Sequence, residues 1–274
     1  MPERFSVRST DGVEISVQKA GSGPSLLLVH GALLNGSISW GAVIPQFAQR
    51  FTVYAMDRRG RAPSGDGKDY SLSLEADDIA AVAAAIGQPV TLLAHSYGAL
   101  ATLDALERLK GVTQVILYEP PVIVAPMGEQ SDRILANMDR ALAAGDRAEV
   151  VTTFLRDQVQ APAERLAGFQ SSPIWPVVLE IASTLPRESR TVNTYRNWDD
   201  RLSKCTLPVT LLLGSETTSM LKEGSIYVSK TIPGCRLVVL EGQGHAAMME
   251  APDLFVAKVL EVAQSIPPAL GAVG

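Results

Sequence analysis

Short apolar runs alternate along this chain with longer stretches of helical periodicity. Phe5–Arg8 and Val13–Lys19 alternate apolar and polar residues on either side of Asp11-Gly12, which predicts an antiparallel hairpin. Gly21-Ser22-Gly23-Pro24 marks a second turn. Leu26–Val29 is then continuously apolar, too short for a helix and suited to a strand buried on both faces. Strands are predicted again at Phe51–Met56, Pro89–Ala94, Val112–Tyr118, Leu207–Leu213 and Arg236–Leu240. Helices are predicted between them. One covers Ser37–Gln49, and another starts near Glu75, Asp77 and Asp78 and stops at Gly87. Further helices follow at Tyr97–Leu106, Ser219–Thr231 and Pro252–Gln264. Acidic residues early in a helix favour its N-terminus, and a glycine just past its end favours its stop.

The alternation breaks once. After Glu119-Pro120-Pro121 the chain is predicted helical from about Pro126 to Lys204 and holds no buried-strand run. Met127, Met138, Phe154, Phe169, Trp175, Tyr195 and Trp198 are scattered through this stretch. No internal repeat is seen, and the small residues of Pro267–Gly274 are expected to fray. Strands alternating with helices predict an α/β fold with a mostly parallel sheet and helices on both faces. The expected division is a core from 1–125 and 205–274, with a helical insertion over 126–204 after the sixth core strand.

Composition narrows the function class. Of 274 residues, 46% are hydrophobic and 19% charged, so the chain reads as an ordinary globular protein. A formal net charge of -5 argues against nucleic acid or an anionic membrane as partner. No apolar run approaches the roughly 20 residues that span a bilayer. The opening Met1-Pro2-Glu3-Arg4-Phe5-Ser6 lacks the apolar centre of a signal peptide. A soluble cytoplasmic protein is expected. The two cysteines, Cys205 and Cys235, are far apart and flanked by no ligand pattern, so neither a disulfide framework nor a zinc site is expected. No dinucleotide, phosphate-loop or metal-ligand motif is present, so no cofactor and no metal is expected.

The segment Leu92-Leu93-Ala94-His95-Ser96-Tyr97-Gly98-Ala99-Leu100 carries the chemistry. An apolar strand ends at Ser96 and helical periodicity begins at Tyr97. A serine on such a corner has an exposed hydroxyl and strained dihedrals. Its neighbours two residues away must be small because strand and helix nearly touch, and here they are Ala94 and Gly98. This resembles the nucleophile elbow of the α/β-hydrolase superfamily, with Ala94 replacing the usual first glycine. Three further motifs support the resemblance in the right order: His30-Gly31, Asp57–Ser64, and Gly242-Gln243-Gly244-His245 after the last strand.

The resemblance implies roles for individual residues. Ser96 would be the nucleophile and His245 the general base, in a loop free to reach across the sheet. A serine at position 96 excludes the carboxylate nucleophile of dehalogenase and epoxide-hydrolase relatives. The superfamily usually places its acid after the seventh strand, but that position is Thr217, which carries no charge. Glu119, closing an apolar strand before two prolines, is the first candidate. Glu216, one position off, and Asp199 or Asp200 are alternatives. The backbone amides of Tyr97 and Ala32 would form the oxyanion hole, with Leu33 as fallback. His30 is expected to hold its loop through hydrogen bonds, and His95 to pack beneath Ser96. In the Asp57–Ser64 loop, Asp57 is expected to cap backbone amides and Arg59 to form an ion pair near the site, with the basic cluster solvated or, as the alternative, meeting an anionic substrate. Tyr97, Leu33, Trp175 and Trp198 are candidate substrate contacts, together with Phe154 and Met138, which plain core packing would equally explain.

The expected function is hydrolysis of a carboxylic ester or lactone of a small apolar substrate through a Ser-His-Glu triad and an acyl-enzyme. Carbon–carbon bond hydrolysis, acyl transfer, perhydrolysis, or non-catalytic small-molecule binding are the alternatives. The expected partner is a small-molecule ester or lactone, with neither nucleic acid nor membrane, and a homodimer is left open.

Overall fold

The structure is a computed structural model that describes residues 3–125, 128–196 and 198–264. Pro126, Met127 and the tail Pro267–Gly274 lie outside the described residues. The chain divides into two compact units. Met1–Gly31, Asn35–Val122 and Asn197–Gly274 make up the first; Ala32–Leu34 and Ile123–Arg196 make up the second.

The first unit holds the sheet. Its strands are β1 (Glu3–Arg8), β2 (Glu14–Ala20), β3 (Ser25–Val29), β4 (Thr52–Met56), β5 (Val90–His95), β6 (Val112–Tyr118), β7 (Val209–Gly214) and β8 (Arg236–Leu240). They lie side by side in the order β1-β2-β4-β3-β5-β6-β7-β8. β1 pairs antiparallel with β2, and β2 with β4; every other pairing is parallel. Leu27 stands opposite Leu92, Leu93 opposite Ile116, and Leu117 opposite Leu211. All residues of β3 and β7 are buried, which requires cover on both faces of the sheet and explains their unbroken apolar sequence. The hairpin turns at Gly12, whose φ of +87° suits a residue without a side chain.

Helix ends follow local chemistry. Ser71 Oγ accepts the Leu74 amide at 3.2 Å, starting the helix Leu72–Ile86 a turn earlier than its acidic residues suggest. Gly87 ends it in the left-handed region at φ +68°. The single helix expected at Ser37–Gln49 is instead two one-turn helices, Gly36–Ser39 and Ile44–Phe47. Gly41 weakens the middle of that stretch, and Pro45 lacks the amide an interior helical residue donates, so it opens the second helix rather than continuing the first.

Trp40, Phe47, Tyr118 and Phe255 share a buried cluster with Leu26, Leu28 and Leu93. Each fully buried chain of this kind contributes about 1.5–3 kcal/mol, against about 0–1 kcal/mol for an exposed ion pair. Packing, not surface charge, therefore holds the strand ends in place.

The second unit is helical, with its longer helices at Glu129–Ala143, Ala163–Ser171 and Leu185–Thr194. Met138, Val150, Val151, Val178 and Leu185 are fully buried there. Asp146 caps the helix Arg147–Thr153 by accepting the Glu149 amide at 2.9 Å. Trp198 and the short helix Asp199–Leu202 group with the first unit. Among the described residues no helix is long and apolar enough to cross a membrane.

Candidate active site

Because β3 to β8 run parallel, their carboxyl ends share one edge of the sheet. His30, Asp57, Ser96, Glu119, Ser215 and Glu241 are the first residues beyond those strands or their final turn. Ligand sites of open α/β sheets form along this edge.

Ser96 joins β5 to the helix Ser96–Ala105 with no intervening loop, and its φ is +52°. A non-glycine residue in this region carries strain of order 1–3 kcal/mol, which the packed strand and helix on either side must hold. Gly98 shows why the corner needs small neighbours. A Cβ there would lie 2.4 Å from the His30 carbonyl oxygen. A Cβ on Gly31 would lie 3.0 Å from Ser96 Cβ, so the loop after β3 runs directly against the serine.

Glu119 directly follows β6 with a φ of +49° and is fully buried. Its Oε1 accepts the Gly214 amide at 2.7 Å, and its Oε2 accepts Thr217 Oγ1 at 2.9 Å and His245 Nδ1 at 2.5 Å. The carboxylate keeps a proton on Nδ1, which leaves Nε2 of His245 as a lone-pair acceptor. Gly214 must be glycine for this approach, since a Cβ there would sit 2.3 Å from the Gln243 carbonyl oxygen. The other candidate acids are elsewhere. Glu216 is exposed and takes a 3.4 Å hydrogen bond from Ser215 Oγ. Asp199 accepts from the Tyr227 hydroxyl at 2.5 Å, and Asp200 is exposed.

The histidine loop is held from both neighbouring strands. His95 Nε2 donates to the His245 carbonyl at 2.8 Å, with the two rings 4.5 Å apart. Tyr118 donates its hydroxyl to the Gly244 carbonyl and accepts the Ala247 amide at 3.3 Å. The residues just before Ser96 and just before Glu119 thus both grip the loop that carries His245. Burial, and then the neighbouring His245, depress the pKa of His95 well below 6.5, so it is neutral.

His30 is pinned in one tautomer. Its Nδ1 donates to the Gly31 carbonyl at 2.7 Å, and its Nε2 accepts the Arg58 amide at 3.0 Å. Burial, then the charges of Arg58 and Arg61, hold its pKa well below 6.5.

The Asp57–Ser64 loop corrects an expectation. Its arginines are not solvated: Arg58, Arg59 and Arg61 are among the largest fully buried side chains. The loop turns inward, and carboxylates meet it there. Arg59 forks onto Asp78 at 2.7 and 2.8 Å and reaches Asp11 at 2.8 Å. Arg58 forks onto Glu75 at 2.9 and 2.6 Å. Asp57 accepts the Gly36 amide and Arg4 Nη1, each at 2.8 Å.

The remaining candidates are dispersed. Tyr97 is buried, with its hydroxyl 2.6 Å from that of Tyr70. Trp198 is buried in the first unit, while Ala32, Leu33 and Trp175 are half-buried members of the second. Met138 and Phe154 lie in the second unit's own interior. Among the described residues no three His, Cys, Asp or Glu side chains are placed to hold a metal ion.

Two residues of this arrangement are invisible to motif reasoning. Thr217 occupies the position where the superfamily usually has its acid, yet it donates to the Glu119 carboxylate at the end of β6. The signal available was a hydroxyl three residues past the end of a buried strand, beside a site already short of a carboxylate. Arg58 had no signal, because a loop arginine is ordinarily solvated.

Known proteins bear on this geometry. An alpha/beta hydrolase of Sphaerobacter thermophilus is 31% identical, superposes with a TM-score of 0.82, and is matched over 94% of this chain and 99% of its own. A pimeloyl-[acyl-carrier protein] methyl ester esterase of Aeromonas hydrophila is 26% identical over 254 residues, covering 89% of this chain and 97% of that protein. An esterase of Exiguobacterium antarcticum shares the fold at 20% identity, with a TM-score of 0.78 over 95% of this chain and 99% of that one. Residues 26–258 match the alpha/beta hydrolase family as a whole, a span running from β3 into the last helix, Pro252–Gln264, and the chain belongs to that family.

Proposed function

We propose that this protein hydrolyses a carboxylic ester or lactone of a small apolar substrate through an acyl-enzyme on Ser96. The observation that carries this reading is the buried carboxylate of Glu119 2.5 Å from His245 Nδ1, which leaves Nε2 ready to accept a proton. The methyl ester esterase at 26% identity supports an ester as the bond class.

In the proposed reaction Ser96 Oγ attacks the carbonyl carbon and passes its proton to His245 Nε2. Glu119 stabilises the imidazolium that results. The carbonyl oxygen gains the negative charge and is held by the backbone amides of Tyr97 and Ala32. The Tyr97 amide lies in the first turn of its helix, where the dipole favours an anion. His245 then protonates the departing alkoxide, leaving the acyl group on Ser96. Water attacks that ester, His245 takes the water's proton and returns it to Ser96, and the carboxylic acid departs.

Intact-mass labelling with a fluorophosphonate tests this directly. The expected result is one adduct on the wild-type protein and none on Ser96→Ala, which also loses turnover of p-nitrophenyl esters. An unlabelled wild type, or equal labelling of Ser96→Ala, would overturn the reading.

A further inference from the structure

The reaction as proposed makes no use of Arg58, yet this cation is fully buried and bonded in four directions. Nε and Nη2 fork onto Glu75 at 2.9 and 2.6 Å, and Nη1 donates to the Gly31 carbonyl at 2.9 Å. The backbone amide donates to His30 Nε2 at 3.0 Å. The guanidinium carbon, Cζ, lies over the ring of Tyr97, 4.5 Å from its centroid. Tyr97 in turn reaches back to the same carboxylate. Tyr70 donates its proton to Glu75 Oε1 at 3.1 Å, so across the 2.6 Å contact between the hydroxyls Tyr97 is the donor. Arg58, Glu75, Tyr70 and Tyr97 form a closed ring of contacts.

Stability alone explains this ring poorly. A buried ion pair is on average no better than apolar residues of the same volume. Position explains it better, because the ring grips the main chain on both sides of Ser96. Tyr97 is the residue after the serine. Gly31 faces the serine from β3, close enough that a Cβ would sit 3.0 Å from Ser96 Cβ. A peptide unit is planar, so the Gly31 carbonyl and the Ala32 amide point in opposite directions as one rigid body. Arg58 Nη1 and His30 Nδ1, donating to Gly31 O at 2.9 and 2.7 Å, therefore aim the Ala32 N–H.

We infer that Arg58, with Glu75, is a positioning residue of this hydrolase, setting the direction of the two amides that receive the oxyanion. The inference rests on the serine-hydrolase reading above. The decisive variant is Arg58→Met combined with Glu75→Leu, which removes both charges at similar volume and keeps the interior filled. We expect its melting temperature to equal or exceed that of wild type. Its kcat for p-nitrophenyl acetate and its rate of fluorophosphonate labelling should fall about tenfold to a hundredfold, the scale of a small misplacement of reacting groups. KM should stay within about twofold, since oxyanion donors act on the transition state. Arg58→Lys, which keeps the charge but loses the planar fork, should not restore the rate. Wild-type rates in the folded double variant, or a raised KM at unchanged kcat, would overturn the inference. If the double variant does not fold, Tyr70→Phe decides. It cuts the hydroxyl link at a partly exposed residue, and an unchanged kcat there refutes the positioning role. A wild-type protein that takes no label would instead sink the serine-hydrolase reading itself.

Discussion

Glu119→Gln separates the candidate acids most sharply. The carboxylate is fully buried and accepts three hydrogen bonds, from Gly214 N, Thr217 Oγ1 and His245 Nδ1. A glutamine of the same shape has one acceptor oxygen and one donor NH2. The Gly214 amide can only donate, so it claims the oxygen, and the NH2 must then face Thr217 and His245. The threonine hydroxyl can rotate to accept. His245 can accept at Nδ1 only by moving its proton to Nε2, the nitrogen that receives the proton of Ser96 in the proposed reaction. The substitution therefore imposes the wrong tautomer rather than unfolding the site. In a serine protease the corresponding change lowers kcat by about 10⁴, and about 10³–10⁴ is expected here, or about 4–5.5 kcal/mol at 1.36 kcal/mol per decade. The assay is steady-state hydrolysis of p-nitrophenyl acetate, with thermal melting of the same samples. The melting temperature should change by no more than a few degrees, because a neutral amide replaces a buried charge. A variant that keeps more than about a tenth of wild-type kcat would refute the tautomer argument. So would Glu216→Gln proving equally damaging, since Glu216 is exposed.

Two further outcomes are expected. Thr217→Val removes a hydrogen bond to a charged carboxylate worth about 1.5–3 kcal/mol. If half of that is felt as misalignment of His245, kcat falls about four- to thirteenfold, and a wild-type kcat would show that the hydroxyl does no orienting. The second outcome concerns pH. His30 and His95 are both held well below their usual pKa of 6.5, chiefly by burial. The unfolded chain takes up these two protons below pH 6.5 while the folded chain does not, so stability is full above that pH and is lost as pH falls through it. Each contributes at most about 1.4 kcal/mol per pH unit. Urea midpoints between pH 7 and pH 5 should fall steadily, and a flat profile over that range would show that these histidines protonate within the fold.

The alternation of strands and helices and the corner at Ser96 were legible along the chain. The reason is local: a strand buried on both faces has to be continuously apolar, and a strand-to-helix corner needs a small residue at Gly98. Both requirements are written within a few positions of the residues they govern. Even there local signals had limits, since Gly41 and Pro45 split a segment whose periodicity read as one helix. Which side chains meet was decided only by the tertiary structure. Glu119 and His245 lie 126 positions apart and come within 2.5 Å because β6 and the loop after β8 end at one edge of the sheet. Thr217, which stands where a carboxylate is expected, donates to the Glu119 carboxylate because β7 ends beside β6. The arginines after β4 read as a solvated loop, yet they are buried, since carboxylates from the helix Leu72–Ile86 wait inside. Hydropathy along a chain records how much of a residue is removed from water. It holds no record of which partner, far away in the chain, makes a buried charge tolerable.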